Sequence, residues 1–156
     1  FPLTLAVHPI LMNKWNTNKN IHEFFIKLFK ASMIQIIIFL IMLIPLWIFN
    51  EDFFYFITIM IPELDGSMKE IMIPIFIGGF LWQLALVLHK PLEIEERTLI
   101  MVVCIMVSLV INLIGNIFFL PKFGILATAY TMILSASIYI LSSIFLSNSF
   151  RNFLRT

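Results

Sequence analysis

Polar side chains with chemical capacity are sparse in this chain of 156 residues, and they sit inside otherwise apolar runs. Ser108, Asn112 and Asn116 recur at i, i+4 and i+8, so a helix would place them on one face. Two carboxamides and a hydroxyl in a row can bond neighbouring helices together, or they can line a hydrated cavity and touch a polar substrate. Gln35 and Gln83 are single carboxamides in two other apolar runs, with the same two readings. Lys14, Lys27 and Lys30 gather before the first long apolar run. They suit an anion at a membrane mouth and equally suit a charged, wetted helix end. His8, His22 and His89 lie at no spacing that ligates a metal. The one cysteine, Cys104, is inside an apolar run and supports neither a disulfide nor a zinc site. Glu93, Glu95 and Glu96 are the sole candidates for acid/base work at a membrane surface, and a solvated loop explains them more simply. No nucleophile elbow or phosphate-binding glycine loop is present. Neither a catalytic residue nor a bound cofactor or metal is therefore expected.

The elements that must position these residues are dictated by hydropathy. Hydrophobic residues make up 61% of the chain and charged residues 12%, against roughly 45–50% and about 25% in soluble domains. Mean hydropathy is +1.03. Runs at about 31–49, 71–88, 98–120 and 125–147 contain no Lys, Arg, Asp or Glu. A helix of roughly 20 such residues crosses the ~30 Å hydrocarbon layer of a bilayer. The pattern predicts an all-α, polytopic transmembrane bundle with four full spans. Phe1–Met12 is too short to cross, carries Pro2 and Pro9, and reads as the end of a truncated N-terminal helix. The chain is then part of a larger protein.

Between the spans, Asn13–Asn20 is polar and reads as a loop. Ile21–Lys30 puts Ile21, Phe24, Phe25 and Leu28 on one face and Glu23, Lys27 and Lys30 on the other. Such a segment is an interfacial helix or the wet first turns of the span that follows. Phe53–Ile61 is expected to lie on the surface or re-enter, Pro74 to fall in the first turn of its span, and His89–Arg97 to form a charged loop. Pro121-Lys122-Phe123-Gly124 joins the last two spans, with Pro121 expected to stop the helix before it. In the last span Gly124, Thr128, Thr131, Ser135, Ile138 and Ser142 form a small-residue stripe suited to close packing. The Gly78-Gly79 pair suits either close packing or a hinge. Asn148–Thr156 reads as a polar tail.

Sorting cations by alternate loops gives an orientation. Lys14, Lys19, Lys27, Lys30, Lys90, Arg97, Arg151 and Arg155 share one side, and Lys69 and Lys122 the other, eight against two. The cation-rich side, with the C-terminus, is expected to face the cytoplasm. A net charge of +1 without a basic, aromatic-rich patch gives no sign of nucleic-acid binding.

One stretch carries a resemblance. Asn112-Leu113-Ile114-Gly115-Asn116, then Phe118-Phe119-Leu120-Pro121-Lys122-Phe123-Gly124-Ile125, then Ala127-Thr128-Ala129 is similar to the penultimate hairpin of polysaccharide and O-antigen flippases. These are a branch of the multidrug, oligosaccharidyl-lipid and polysaccharide exporter superfamily. His89-Lys90-Pro91-Leu92-Glu93 with Arg97-Thr98 resembles the loop before that hairpin. Phe1-Pro2-Leu3-Thr4 to Pro9-Ile10-Leu11-Met12 resembles the end of the family's eighth helix. The resemblance implies the last third of a transporter that moves a lipid-linked oligosaccharide of polyprenyl diphosphate type across a bacterial cytoplasmic membrane. It implies alternating access between this part and a missing N-terminal helical bundle, with membrane lipids around both. The spans here hold no cation for a diphosphate, so such residues are expected in the missing part. The rivals are a cation-coupled multidrug exporter of the same superfamily and a non-transporting scaffold subunit.

Overall fold

In the computed structural model of the protein, Pro9 and residues 20–63 and 65–153 are described. The regular structure among them is entirely helical. It comprises α1 (Ile21–Ile48), α2 (Asn50–Met60), a 3-10 turn (Gly66–Met68), α3 (Lys69–Leu88), α4 (Lys90–Ile94), α5 (Thr98–Phe123), α6 (Leu126–Leu146) and α7 (Asn148–Phe153). Four helical segments are long and apolar enough to cross a membrane: Ile21–Ile48, Lys69–Ile94, Thr98–Phe123 and Leu126–Leu146. The chain is a polytopic α-helical membrane protein. The expected truncated helix over Phe1–Met12 lies outside the described residues, apart from Pro9.

The long helices stand in a row. α6 packs on α5 along one flank and on α3 along the other, and α3 in turn meets α1, giving the order α1–α3–α6–α5. Burial follows this order. A third of the apolar window of each inner helix is buried, against 11% for α1 and α5 at the edges. Large apolar side chains such as Ile41, Leu99 and Leu109 stand more than half exposed, which water would not tolerate over so wide an area but lipid does.

Lipid supplies no hydrophobic drive between helices, so close approach of small residues must hold the row together. α6 provides them: Ala127, Ala129, Thr131, Ser135, Ala136 and Ser143 are all buried. A β-carbon added at Gly115 of α5 would stand 2.5 Å from Thr131 Cγ2, and one at Gly78 of α3 would stand 2.4 Å from Met132 Cε. Both glycines therefore mark places where α6 presses on a neighbour. Three buried hydroxyls on α6 are satisfied within the helix: Thr131 donates to the Thr128 carbonyl at 3.0 Å, Ser135 to Met132 at 3.0 Å and Ser143 to Ile140 at 2.9 Å. Below this seam Ala85, Cys104 and Tyr139 form a small core, with Trp82 stacked on Tyr139 at 5.6 Å.

Of the two readings of Ile21–Lys30, the first turns of the following span is the one observed, while several other elements differ from the sequence expectation, each for a local reason. α1 is continuous over 28 residues, and the Asn20 side chain caps it by accepting from the His22 and Glu23 amides at 3.0 and 3.3 Å. α3 begins at Lys69, so Pro74 lies beyond its first turn. Pro121 does not stop α5, because losing one N–H in the last turn removes a single bond. The helix runs on to Phe123 and ends at Gly124, whose φ of 63° and ψ of −160° suit glycine alone.

The charged segment after α3 is not an open loop either. Lys90–Ile94 forms the short helix α4, with Lys90, Pro91 and Leu92 buried. It closes in a Schellman motif, in which the Arg97 amide donates to the Leu92 carbonyl and the Glu96 amide to the Glu93 carbonyl, both at 3.0 Å. Glu96 occupies the left-handed position at φ 57° that glycine normally takes.

The expected polar tail is likewise a helix. α7 returns to α1 and sets Phe150 and Phe153 against Phe25, the latter stacked at 4.8 Å. Phe24, Phe25, Leu28 and Val87 make the buried centre of this second cluster.

The glycines give a graded test in detergent thermal melts. Gly79→Ala, where the added methyl meets nothing within 4 Å, is expected to leave stability unchanged or raise it. Gly78→Ala is expected to cost little, since the flexible end of Met132 can move. Gly115→Ala, pressed on the stiff β-branched Thr131, is expected to cost about 1–3 kcal/mol.

Candidate functional site

The residues singled out from sequence divide between two places. Gln35 and Gln83 come together in a cleft between α1 and α3, of about 470 Å³. Helical spacing explains its walls: Gln35, Ile38, Phe39 and Met42 recur on one face of α1. Ile75, Phe76, Gly79, Phe80 and Gln83 do so on α3. Phe39 lies flat over Phe80 with ring centres 3.8 Å apart and 5.5 Å from Phe76. Gly79, bare of a side chain, leaves the floor of the cleft open.

Depth gives the cleft its interest. Gln35 stands 14 residues into α1 and Gln83 14 residues into α3, so each lies about 21 Å along its helix. α1 leaves the cation-rich side and α3 returns to it, so Gln35 lies four residues inside that end of its apolar run and Gln83 five, each about 6–8 Å in. Beyond them the walls become wholly apolar. The cleft shares Met42 and Phe76 with a space of about 370 Å³ bounded also by Pro45, Leu46 and Phe53. A further 360 Å³ lies between α2 and α3. Polar groups at one end and an apolar channel at the other suit an amphiphile.

Ser108, Asn112 and Asn116 are elsewhere, on the α5 face toward α6. Asn112 Nδ2 donates to Ser135 Oγ at 3.3 Å across the interface. Asn116 Nδ2 donates to the Asn112 carbonyl at 2.9 Å and to Asn112 Oδ1 at 3.0 Å. The Asn112 bond ties two helices together, the first of the two readings their spacing allowed, while those of Asn116 stay within α5. The Ser108 hydroxyl is fully buried with no hydrogen-bond partner among the described residues. Lys27 is paired with Glu23 at 2.9 Å and Lys30 is exposed at the same end of α1. Lys14 and His8 lie outside the described residues.

The three glutamates have diverging environments rather than a shared one. Glu93 pairs with Lys90 and stands 3.9 Å from His89 Nε2, while His89 Nδ1 meets the Tyr139 hydroxyl at 3.3 Å. Glu96 is exposed. Glu95 reaches across to the start of α7, where its Oε1 accepts from Ser147 Oγ and from the Ser149 amide, each at 2.6 Å. Its Oε2 accepts from the Asn148 amide at 3.2 Å. Ser147 Oγ in turn accepts from the Phe150 amide at 3.1 Å, so the three first amides of α7 all have partners. Arg97 Nε stands 3.4 Å from the same carboxylate. Burial pushes the Glu95 carboxyl up, but the bonds from Ser147, Ser149 and Asn148 outweigh it and hold the group below its ordinary value. At the opposite end of the row, a hydrogen bond and the charge of Lys69 hold Glu51 low as well, 2.5 Å away.

Sequence reasoning missed the Glu95–α7 bonds, although Ser147 followed by Asn148 and Ser149 is a capping signal. It also missed Phe150 and Phe153, whose i, i+3 spacing marks one helical face. Among the described residues, no group of three or more His, Cys, Asp or Glu is placed to hold a metal ion. Comparison with known proteins finds no matching family model, curated protein or solved structure.

Two outcomes test these assignments. The Glu95 carboxyl is depressed in the folded state, so its contribution is present above the unfolded value near 4.5 and is lost as pH falls through the lower folded value. Glu95→Gln is expected to be less stable than wild type by about 1–3 kcal/mol at pH 7. In pH-resolved melts that gap should narrow below pH 4.5 and then close. Ser108→Ala removes a buried hydroxyl that lacks a partner and is expected to melt at the same temperature as wild type or higher. A lower melting temperature would show that the hydroxyl has a partner after all.

Proposed function

We propose that this chain is the C-terminal helical part of a flippase that moves a lipid-linked oligosaccharide from the cytoplasmic to the outer leaflet of a bacterial inner membrane. The α1/α3 cleft carries this reading. It offers carboxamides to a sugar-bearing head near the cation-rich end and an apolar groove beyond them to a prenyl chain, which is the division of surface such a substrate needs. The hairpin and loop motifs that resemble polysaccharide and O-antigen flippases support the same reading. So does the sorting of cations to one end, which supports a cytoplasmic C-terminus.

A diphosphate head also needs cationic partners. The four central apolar runs have none, and Lys27 and Lys30 stand at one end of α1. In this reading the head is attracted there and then passes to cations of the N-terminal bundle. Transport follows by rocking of the two halves. The protein acts as a carrier and makes or breaks no covalent bond.

One observation favours the related exporter of lipophilic cations: the stacked Phe39, Phe76 and Phe80 would also hold an aromatic drug. Cation coupling in that class calls for a carboxylate within the membrane, and the runs at 31–49, 71–88, 98–120 and 125–147 contain none.

The deciding experiment uses the full-length protein in liposomes with a fluorescent polyprenyl-diphosphate glycan on one leaflet. Gln35→Ala with Gln83→Ala is expected to slow its transfer by about tenfold, the effect of losing a hydrogen bond or two in the transition state. Gly79→Phe, which fills the cleft floor, should do the same without lowering the melting temperature. Transfer at the wild-type rate in both variants would remove the cleft from the path. Absence of transfer by the wild-type protein would favour the drug exporter or a scaffold subunit.

A further inference from the structure

α1 is gripped at one end only. Its buried residues are Phe24, Phe25, Leu28, Ser32 and Gln35, all in the first 15 of its 28 residues. From Ile36 to Ile48 none is buried, and over that length α1 faces α3 across the cleft. Val87 of α3 forms part of the grip, and its aromatic part comes from α7. Phe153 stacks on Phe25 at 4.8 Å, Phe150 meets Phe25 edge-on at 5.6 Å, and both stand about 6 Å from Phe29. Such ring pairs add to the stabilisation that their buried area supplies.

α7 has only six residues and could not persist alone. It is held in place from the other side by the Glu95 carboxylate, which takes the Ser147 hydroxyl and the Asn148 and Ser149 amides. Glu95 is in turn aimed by the Schellman turn at Glu96. A line of contacts thus runs from α4 through Glu95 and α7 to Phe25, and it bypasses the α1/α3 cleft.

We propose that α7 is a strap that sets the tilt of α1. Glu95 fastens the strap to α4, Phe150 and Phe153 clasp the first half of α1, and the far half swings about that clasp to widen or narrow the cleft. Ile48 lies 20 residues beyond Leu28, so a tilt of about 10° displaces the far end by ~5 Å. Phe39 stacks on both Phe80 and Phe76 across the cleft, and a swing of that size would part them. This strap requires nothing of the cargo and stands whether or not the protein is a flippase.

The test is a set of spin-label distances on the full-length protein in lipid nanodiscs, in a cysteine-free background. One pair joins Trp47 at the far end of α1 to Phe123 at the same end of α5; both are well exposed. A control pair joins Leu134 on α6 to Leu113 on α5, both exposed and away from the cleft. Glu95→Ala is expected to broaden or shift the first distance by about 5 Å and to leave the control unchanged. Phe153→Ala, which leaves Glu95 and its bonds in place, should reproduce the effect. Glu95→Gln, which keeps an acceptor oxygen, should give a smaller change. If both pairs broaden together, Glu95 supports the whole bundle and the strap is wrong. No change in the first pair, or a change from only one of Glu95→Ala and Phe153→Ala, overturns it equally.

Discussion

Close backbone approach along α6 is the constraint from which the rest follows. Lipid chains solvate leucine as well as another helix does, so burying oily surface gives no net reason for helices to associate. What remains is dispersion between well-fitted surfaces and a few polar bonds. The alanines and hydroxylated residues of α6, with Gly115 and Gly78 facing it, supply the fit. The Asn112–Ser135 bond supplies a polar tie on the α5 side. α3, α6 and α5 therefore form a firm slab, and α1, which has no comparable seam with α3, is attached by other means.

That contrast accounts for the location of the cleft. On α3 the face toward α6 presents Gly78 to a neighbour, while the next residue, Gly79, opens on space. The larger rings of Phe39, Phe76 and Phe80 hold the α1 and α3 backbones apart where glycines would have let them meet. The same helix thus makes a close joint on one side and a roomy one on the other. A transporter needs both, a rigid half and a compliant edge, and the proposed function draws on that pairing.

The spans were legible because a run of some 20 residues without charge has few alternatives to crossing a bilayer. The small-residue stripe of α6 was legible for a similar reason, since its spacing and residue types point one way. Three things were not. The pairing of Gln35 with Gln83 depends on which helices are neighbours, and no local signal carries that. The end of α5 was misplaced because proline disfavours helix in general, yet in a last turn its missing N–H costs little, and the backbone at Gly124 decides instead. α7 was missed because a six-residue helix with Asn148, Ser149 and Arg151 looks like any polar tail until Glu95, more than 50 residues away in sequence, supplies its cap. Asn112 and Asn116 were correctly placed on one face, but spacing alone does not distinguish a face against a helix from a face against a ligand.

The joint between α1 and α2 has its own consequence. A single residue, Phe49, separates the two helices, and the ladder runs through it: its amide donates to Pro45 at 2.8 Å and its carbonyl accepts from Phe53 at 2.9 Å. So short an elbow with its bonds intact resists folding and unfolding like a bent rod. Any rotation of the longer arm must reappear in the shorter one, carrying Glu51 and Asp52 with it and straining the Glu51–Lys69 pair. Glu51 and Asp52 at that end of the row are therefore tied to the position of α1.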